Sequence, residues 1–352
     1  MVYKGDNIVL FWGIEGTFGE GDPSTETHQP PNKLEKVKLA RADYEIAEKK
    51  TADSLVPNMV YTALRKVGEV TLNFWYKDPM LGLTSLGNKT ITGDFASASQ
   101  STIDGDFSSW DDRDSIWMYL CLKDAEGSAD LDKLAKGCVI TKRCFIAEVT
   151  DDANKVLREE LSFKSADLED FDGSEETFSN DSDFDDGKYA DWHTEYRQSY
   201  QTELSFNGNA INTSNWGLVW KRCEIGYNVP ETMQHIASSL VAQEHWVEEL
   251  DPYCELTAYL TGDSVVDELE SKMASRTTGT LKLLIDDATN LNKYVQFTNA
   301  YIKTIEGLSE PPKAGNAQEV TLTFKGDDPV WSEQWNYDDD THADPSSRIT
   351  TS

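Results

Sequence analysis

The chain has 352 residues and carries 63 Asp and Glu against 32 Lys and Arg, a formal net charge of −31. That balance excludes wrapping around nucleic acid, which needs clustered Lys and Arg to neutralise phosphates. No run approaches the roughly 18 apolar residues of a membrane span, and "MVYKGDN" lacks the apolar core of a signal peptide, so neither a membrane partner nor a secretion step is expected.

Ten Trp, fourteen Tyr and thirteen Phe supply the large buriable side chains that sheets use. Five dispersed cysteines, Cys121, Cys138, Cys144, Cys223 and Cys254, show no CxxC spacing and read as reduced and buried. The acidity is also compatible with a salt-rich host, a haloarchaeal one included.

In chain order, the apolar run "NIVLF" predicts a strand and is followed by "GIEGTFGEGDP", a glycine-rich stretch opening a long loop over 13–35. A phosphate cradle would need GxxxxGK[ST] or GxGxxG; here Glu15, Glu20 and Asp22 stand where positive charge is required, so the glycines turn the chain. Next comes a basic stretch on an otherwise acidic molecule, with Lys36, Lys38, Arg41, Lys49, Lys50 and Arg65, interrupted by Val56 and Pro57. It reads as a solvated hairpin or as a basic edge meeting an acidic edge of a neighbour.

"GEVTLNFWYKDPMLGLTSLG" then predicts a strand running into a short amphipathic helix with Asp78 as N-cap. "DSIWMYLCLKD" and "CVITKRCFIAEV … VLREELSFKSADLED" alternate with period 2 and predict strands in hairpins. Residues 171–191 are too acidic and polar to bury themselves and read as a linker. Asp181, Asp183 and Asp185 in it have a weak calcium-loop rhythm, but the Gly falls one place late and the twelfth position has no Glu.

The second half echoes the first. "YQTELSFNGNAI" answers "NIVLFWGIEG"; "GLVWKRCEIGYNVPETM" answers "DYEIAEKKTADSLVPNM", with Val229-Pro230 set against Val56-Pro57. "CELTAYLTGDSVVDELES", with Asp263 as N-cap, answers the first strand-helix unit. "TTGTLKLLIDD" and "VQFTNAYIKTIEG … QEVTLTFKGDD" answer the closing strands. The expected organisation is a first domain over 1–170, the linker, a second domain over 192–329 and a polar tail over 330–352 that joins no core. The fold class is mainly β, with sandwich- or barrel-type sheets and a short flanking helix in each half.

No HExxH pair, zinc-finger spacing or GxSxG elbow occurs, so no catalysis, metal or cofactor is expected. An acid-rich hydrolase would have to rest on paired carboxylates that geometry alone could single out.

The N-terminal "YKGDNIVLFWGIEGTFGEGDP", the "GEVTLNFWYKDPMLGLTSLG" unit, the "GCVITKRCFIAEVTDDANKVLREELSFKSAD" hairpin and "FTNAYIKTIEG … EVTLTFKGDD" resemble the major tail tube proteins of tailed viruses. The resemblance covers most of the chain outside the linker and tail. It implies two tandem tail-tube-like domains in rings stacked into a hollow tail tube, which encloses a tape-measure protein and conducts double-stranded DNA without binding it specifically. It further implies a virion component built in the host cytoplasm, meeting tail terminator and baseplate proteins at its ends.

Duplication departs from the common single-domain form, and three chains would complete a pseudo-sixfold ring, with six as the alternative. Roughly four strands from each of six domains, about 4.8 Å apart and tilted near 40°, give a wall of about 150 Å and room for a duplex. The loop at Gly16, Thr17, Phe18 and Gly19, absent from the second half, is a candidate arm between subunits, together with the basic residues and Val56-Pro57. A different reading is a two-domain β-sandwich tail decoration or a receptor- or glycan-binding virion protein, with Trp192, Trp216, Trp220 and Trp246 available to stack sugars.

Overall fold

The computed structural model describes residues 2–4, 8–20, 33–40, 44–49, 58–65, 68–77, 79–93, 101–109, 113–123, 129–150, 153–170, 198–234, 244–247, 249–262, 264–286, 293–308 and 318–337. In the first half run β1 (Val2–Lys4), β2 (Ile8–Ile14), β3 (Lys33–Ala40), β4 (Tyr44–Lys49), β5 (Asn58–Arg65) and β6 (Gly68–Trp75). Helix α1 (Met80–Leu83) follows, then β7 (Asn88–Thr92), β8 (Ser101–Asp106), β9 (Ile116–Lys123), β10 (Ala129–Thr150), β11 (Ala153–Asn154) and β12 (Arg158–Asp170).

The second half has β13 (Glu203–Phe206), β14 (Asn209–Ala210), β15 (Leu218–Asn228), β16 (Glu231–Gln234), β17 (Glu244–Val247) and β18 (Asp251–Leu260). Helix α2 (Ser264–Ala274) leads to β19 (Gly279–Asp286), β20 (Lys293–Glu306), β21 (Glu319–Gly326) and β22 (Trp331–Tyr337). The fold is mainly β, as the alternating sequence segments require.

Antiparallel pairing gives the order β2-β9-β10-β12-β6-β3 in the first half. The second half has the same order, β13-β19-β20-β21-β18-β15. Even the irregularities coincide. β3 slips against β6 between Leu34 and Lys36, and β15 slips against β18 between Trp220 and Arg222. β10 slips against β12 between Ile140 and Lys142, and β20 against β21 between Ile302 and Thr304. A bulge is a specific backbone device and not a random defect, so matching bulges align the halves residue by residue.

The alignment corrects one echo. β15 stands where β3 stands, not β4, and the hairpin β16/β17 follows it as β4/β5 follows β3. Val229-Pro230 therefore precedes the first strand of its hairpin, whereas Val56-Pro57 precedes the second strand, β5. The short Val-Pro motif matched in wording while the pairing partners decided the place.

A second correction concerns the C-terminal segment. Trp331–Tyr337, expected in a polar tail, is a strand that pairs with β20 and with β8 of the first half. Its alternation puts Trp331, Glu333 and Trp335 inward, with both indoles fully buried.

The helices differ from each other. α1 is buried at all four residues, so it is not amphipathic. Its N-cap position falls on Pro79 with no side-chain cap, where a proline ring removes a donor that would need one; Asp78 itself lies outside the described residues. In α2, Val265, Leu269 and Met273 recur every four residues and pack on the core, with Asp267 in the first turn and Lys272 in the last matching the helix dipole. Asp263 lies outside the described residues. One apolar cluster contains residues of both halves, from Leu10 and Val70 to Leu322 and Trp335.

Candidate assembly surface

β10 is 22 residues long because it serves two sheets. Its first part pairs with β9; beyond the Ile140/Lys142 bulge its free edge pairs with β15, from Lys142↔Asn228 to Glu148↔Arg222. This seam joins the halves edge to edge by a continuous backbone ladder. At Gly226 an added Cβ would lie 2.1 Å from the Arg143 carbonyl oxygen, so glycine is what permits the strands to approach.

Charged side chains stitch the outer face of the seam. Lys142 Nζ lies 2.8 Å from Glu160 and 3.7 Å from Glu224, and Arg222 Nη2 donates to Glu224 Oε2 at 2.5 Å. Tyr253 Oη donates to Glu224 Oε1 at 2.8 Å. Burial would raise the Glu224 carboxyl, but the Tyr253 hydroxyl, Lys142 and Arg222 together hold it below its ordinary value. Glu148 is likewise held low, mainly by its hydrogen bond from Lys155. These pairs are partly solvated, so each contributes modestly while their arrangement fixes register.

Beneath the seam sits a buried ion cluster. Arg143 Nε donates to Glu159 Oε1 at 2.7 Å, and its Nη1 lies 2.8 Å from both Glu333 oxygens. The Trp331 and Trp335 indole N–H groups donate to Glu333 at 2.8 and 3.0 Å. Arg143, Glu159 and their partner Glu333 have side chains that are fully buried. Burial alone would lower the Arg143 pKa; Glu333 and then Glu159 reverse this and raise it well above its usual value, so the guanidinium stays charged. The cluster ties β10 and β12 to β22. Sequence reading missed it, although the W-x-E-x-W alternation was its visible signal; the acidic run following Tyr337 masked the strand.

Of the loop residues, Gly16, Thr17, Phe18 and Gly19 form a turn held by Glu15, whose carboxylate accepts from the Gly19 N–H at 3.0 Å and the Gly137 N–H at 2.8 Å. The Phe18 ring rests on His245 of the β16/β17 hairpin, centroids 4.7 Å apart. That hairpin is also clasped through Glu231: Arg113 pairs with its carboxylate, His245 Nδ1 lies 3.2 Å from it, and Lys164 Nζ donates to its carbonyl oxygen at 2.6 Å. The loop thus contacts the second half of its own chain.

Lys36 and Lys38 are exposed on β3, and Lys49 and Arg65 lie at register positions on β4 and β5. Arg41, Lys50, Val56, Pro57 and the acidic candidates Asp181, Asp183 and Asp185 lie outside the described residues. Among the described residues no group of three or more His, Cys, Asp or Glu is placed to hold a metal, and no helix is long and apolar enough to cross a membrane. Cys138, Cys144, Cys223 and Cys254 are free and buried; burial pushes the Cys138, Cys144 and Cys254 thiols up. Cys223 and Cys254 lie with their sulfurs 3.8 Å apart.

No protein-family model and no curated protein matches this chain. Among solved structures, a chain of the sheath-tube complex of an extracellular contractile injection system in its extended state is similar over 38% of this chain and 88% of its own. Identity is 11% and the TM-score 0.27, a likeness too low to argue from.

The tryptophans weighed as sugar platforms divide by burial. Trp216 packs on Phe206 and Phe324 within the core, Trp220 is half-buried, and Trp246 is exposed on β17. Trp192 lies outside the described residues.

Proposed function

We propose that this chain is a structural, non-catalytic subunit that joins edge to edge into rings, stacked as the hollow tail tube of a tailed virus. The observation that carries this reading is the seam: one six-strand order occurs twice, and an edge of the first sheet is laddered to an edge of the second. A heterologous, head-to-tail contact generates a ring when its rotation closes. Closure also removes sheet edges that would otherwise template aggregation.

In this reading each half is one tube domain, over 1–170 and 192–329 extended through β22, and three chains complete a pseudo-sixfold ring. The lumen encloses a tape-measure protein and later passes double-stranded DNA; terminator and baseplate proteins meet the tube ends, and assembly takes place in the host cytoplasm. The net charge of −31 offers DNA few counterion-releasing contacts, so a duplex slides without being trapped.

Electron microscopy of the purified protein over a range of concentration and salt tests the proposal. Rings or tubes with a central channel are expected. A strictly monomeric species under all conditions would overturn it, and a lumen whose charge mapped as basic would overturn the sliding account.

A further inference from the structure

The seam inside the chain has a counterpart at two outer edge segments that, among the described residues, pair with no strand. The matching bulges place Lys36 with Arg222, Ala40 with Gly226, Lys142 with Thr304 and Cys144 with Glu306. The left-handed residues agree: Gly137 has φ 59° and Asn299, at the same place in β20, has φ 53°.

In the first half, the strand beyond its bulge finds β15 on its free edge. In the second half, Thr304–Glu306 pairs with β21 on one side, and among the described residues no strand lies on the other. Lys303, Thr304 and Glu306 are exposed there. At the opposite end, β3 pairs with β6 on one side. Its other side meets β1 from Lys36 to Lys38, leaving the backbone of Leu39 and Ala40 without a strand neighbour among the described residues. β1 thus takes the part of the edge that, on β15, is taken by Ile146–Glu148.

Building on the ring reading, we infer that a second copy of this chain occupies these ends: the end of β20 meets the end of β3 of the next chain antiparallel, Glu306 opposite Ala40, reproducing Cys144 opposite Gly226. Charge supports the match at one place: exposed Lys38 lies two positions from Ala40 on β3, diagonal to exposed Glu306. The outer joint differs at one point. A Cβ at Gly226 would lie 2.1 Å from a backbone oxygen, so at Ala40, its equivalent on β3, the outer strands stand further apart than the inner pair. Because the donor edge and the acceptor edge are different surfaces, the contact propagates from chain to chain and ends only when the ring closes.

The test is an Ala40→Cys/Glu306→Cys double variant of the full chain, oxidised after assembly and resolved without reductant. Paired positions across an antiparallel ladder bring Cα atoms about 4.5–5.5 Å apart, within disulfide reach. Disulfide-linked species ending at the trimer are expected. A Glu203→Cys/Glu306→Cys control, with its cysteines on β13 and β20, should give less than a tenth of that linkage. Rings that form yet stay unlinked at 40/306 would overturn the edge assignment and leave the ring reading standing. Failure of wild type and variant alike to assemble would overturn both.

Discussion

Replacing Arg143 by Met keeps much of the side chain's length but removes the charge between Glu159 and Glu333, both fully buried. Breaking a buried ion pair by deleting one partner costs about 3–5 kcal/mol, because an uncompensated charge stays in the interior. With an unfolding entropy of about 2.1 cal/mol/K per residue, cooperative unfolding of all 352 residues makes this a fall in Tm of about 4–7 °C. The same principle sets the rescue. In Arg143→Met/Glu159→Gln/Glu333→Gln no buried charge remains in the cluster, and residue 333 keeps one oxygen, enough for one of the two indole N–H groups that now donate to separate oxygens. The triple variant should regain more than half of the lost stability. Denaturant unfolding followed by tryptophan fluorescence measures both, since those indoles lie against the cluster. A single variant costing less than about 1 kcal/mol, or a triple variant no better than the single, would refute the claim that Arg143 acts by charge compensation.

Two further predictions concern the joints of the fold. Gly137 has φ 59°, and a Cβ there would sit 2.7 Å from Ala166 Cβ and 3.1 Å from the Phe18 ring; Gly137→Ala should cost about 1–2 kcal/mol from backbone strain alone, whereas Asn299→Gly should stay within about 0.5 kcal/mol of wild type in thermal unfolding. Equal effects at the two sites would break the argument. Because Glu224 is held below its ordinary value of 4.5, its stabilising contribution is present above that pH and is lost as pH falls through the depressed value. The stability gap between wild type and Glu224→Gln should therefore narrow in urea titrations taken from pH 7 down to pH 3, and a gap that stays constant would show that the carboxylate's charge is not what holds the seam.

What the sequence determined by itself was periodicity and repetition. Two-residue alternation in "EVTLTFKG" is imposed by the pleat, so β21 was legible without any partner in view, whereas "IWMYLCLK" is an unbroken apolar run whose residues Ile116–Leu120 are buried on both faces, not the half-buried alternating strand expected for β9. The echo between halves was legible for the same reason, because equivalent strands face equivalent cores. The tertiary structure alone decided pairing. "GLVWKRCEIGYNVP" carries no mark saying that its partners are β18 and β10, and only the common bulges show that it replaces β3 and not β4. "WSEQWNY" has the alternation of a strand, yet its burial depends on β8 and β20, more than 200 and about 40 residues away, and on Arg143 to compensate Glu333. The glycine loop divides in the same way: its sequence excluded a phosphate cradle, while its contact with Gly137 and His245 exists only once the halves are folded together. Local chemistry sets which face of each strand turns inward; which edge meets which is a property of contacts distant in sequence, and those contacts build the seam.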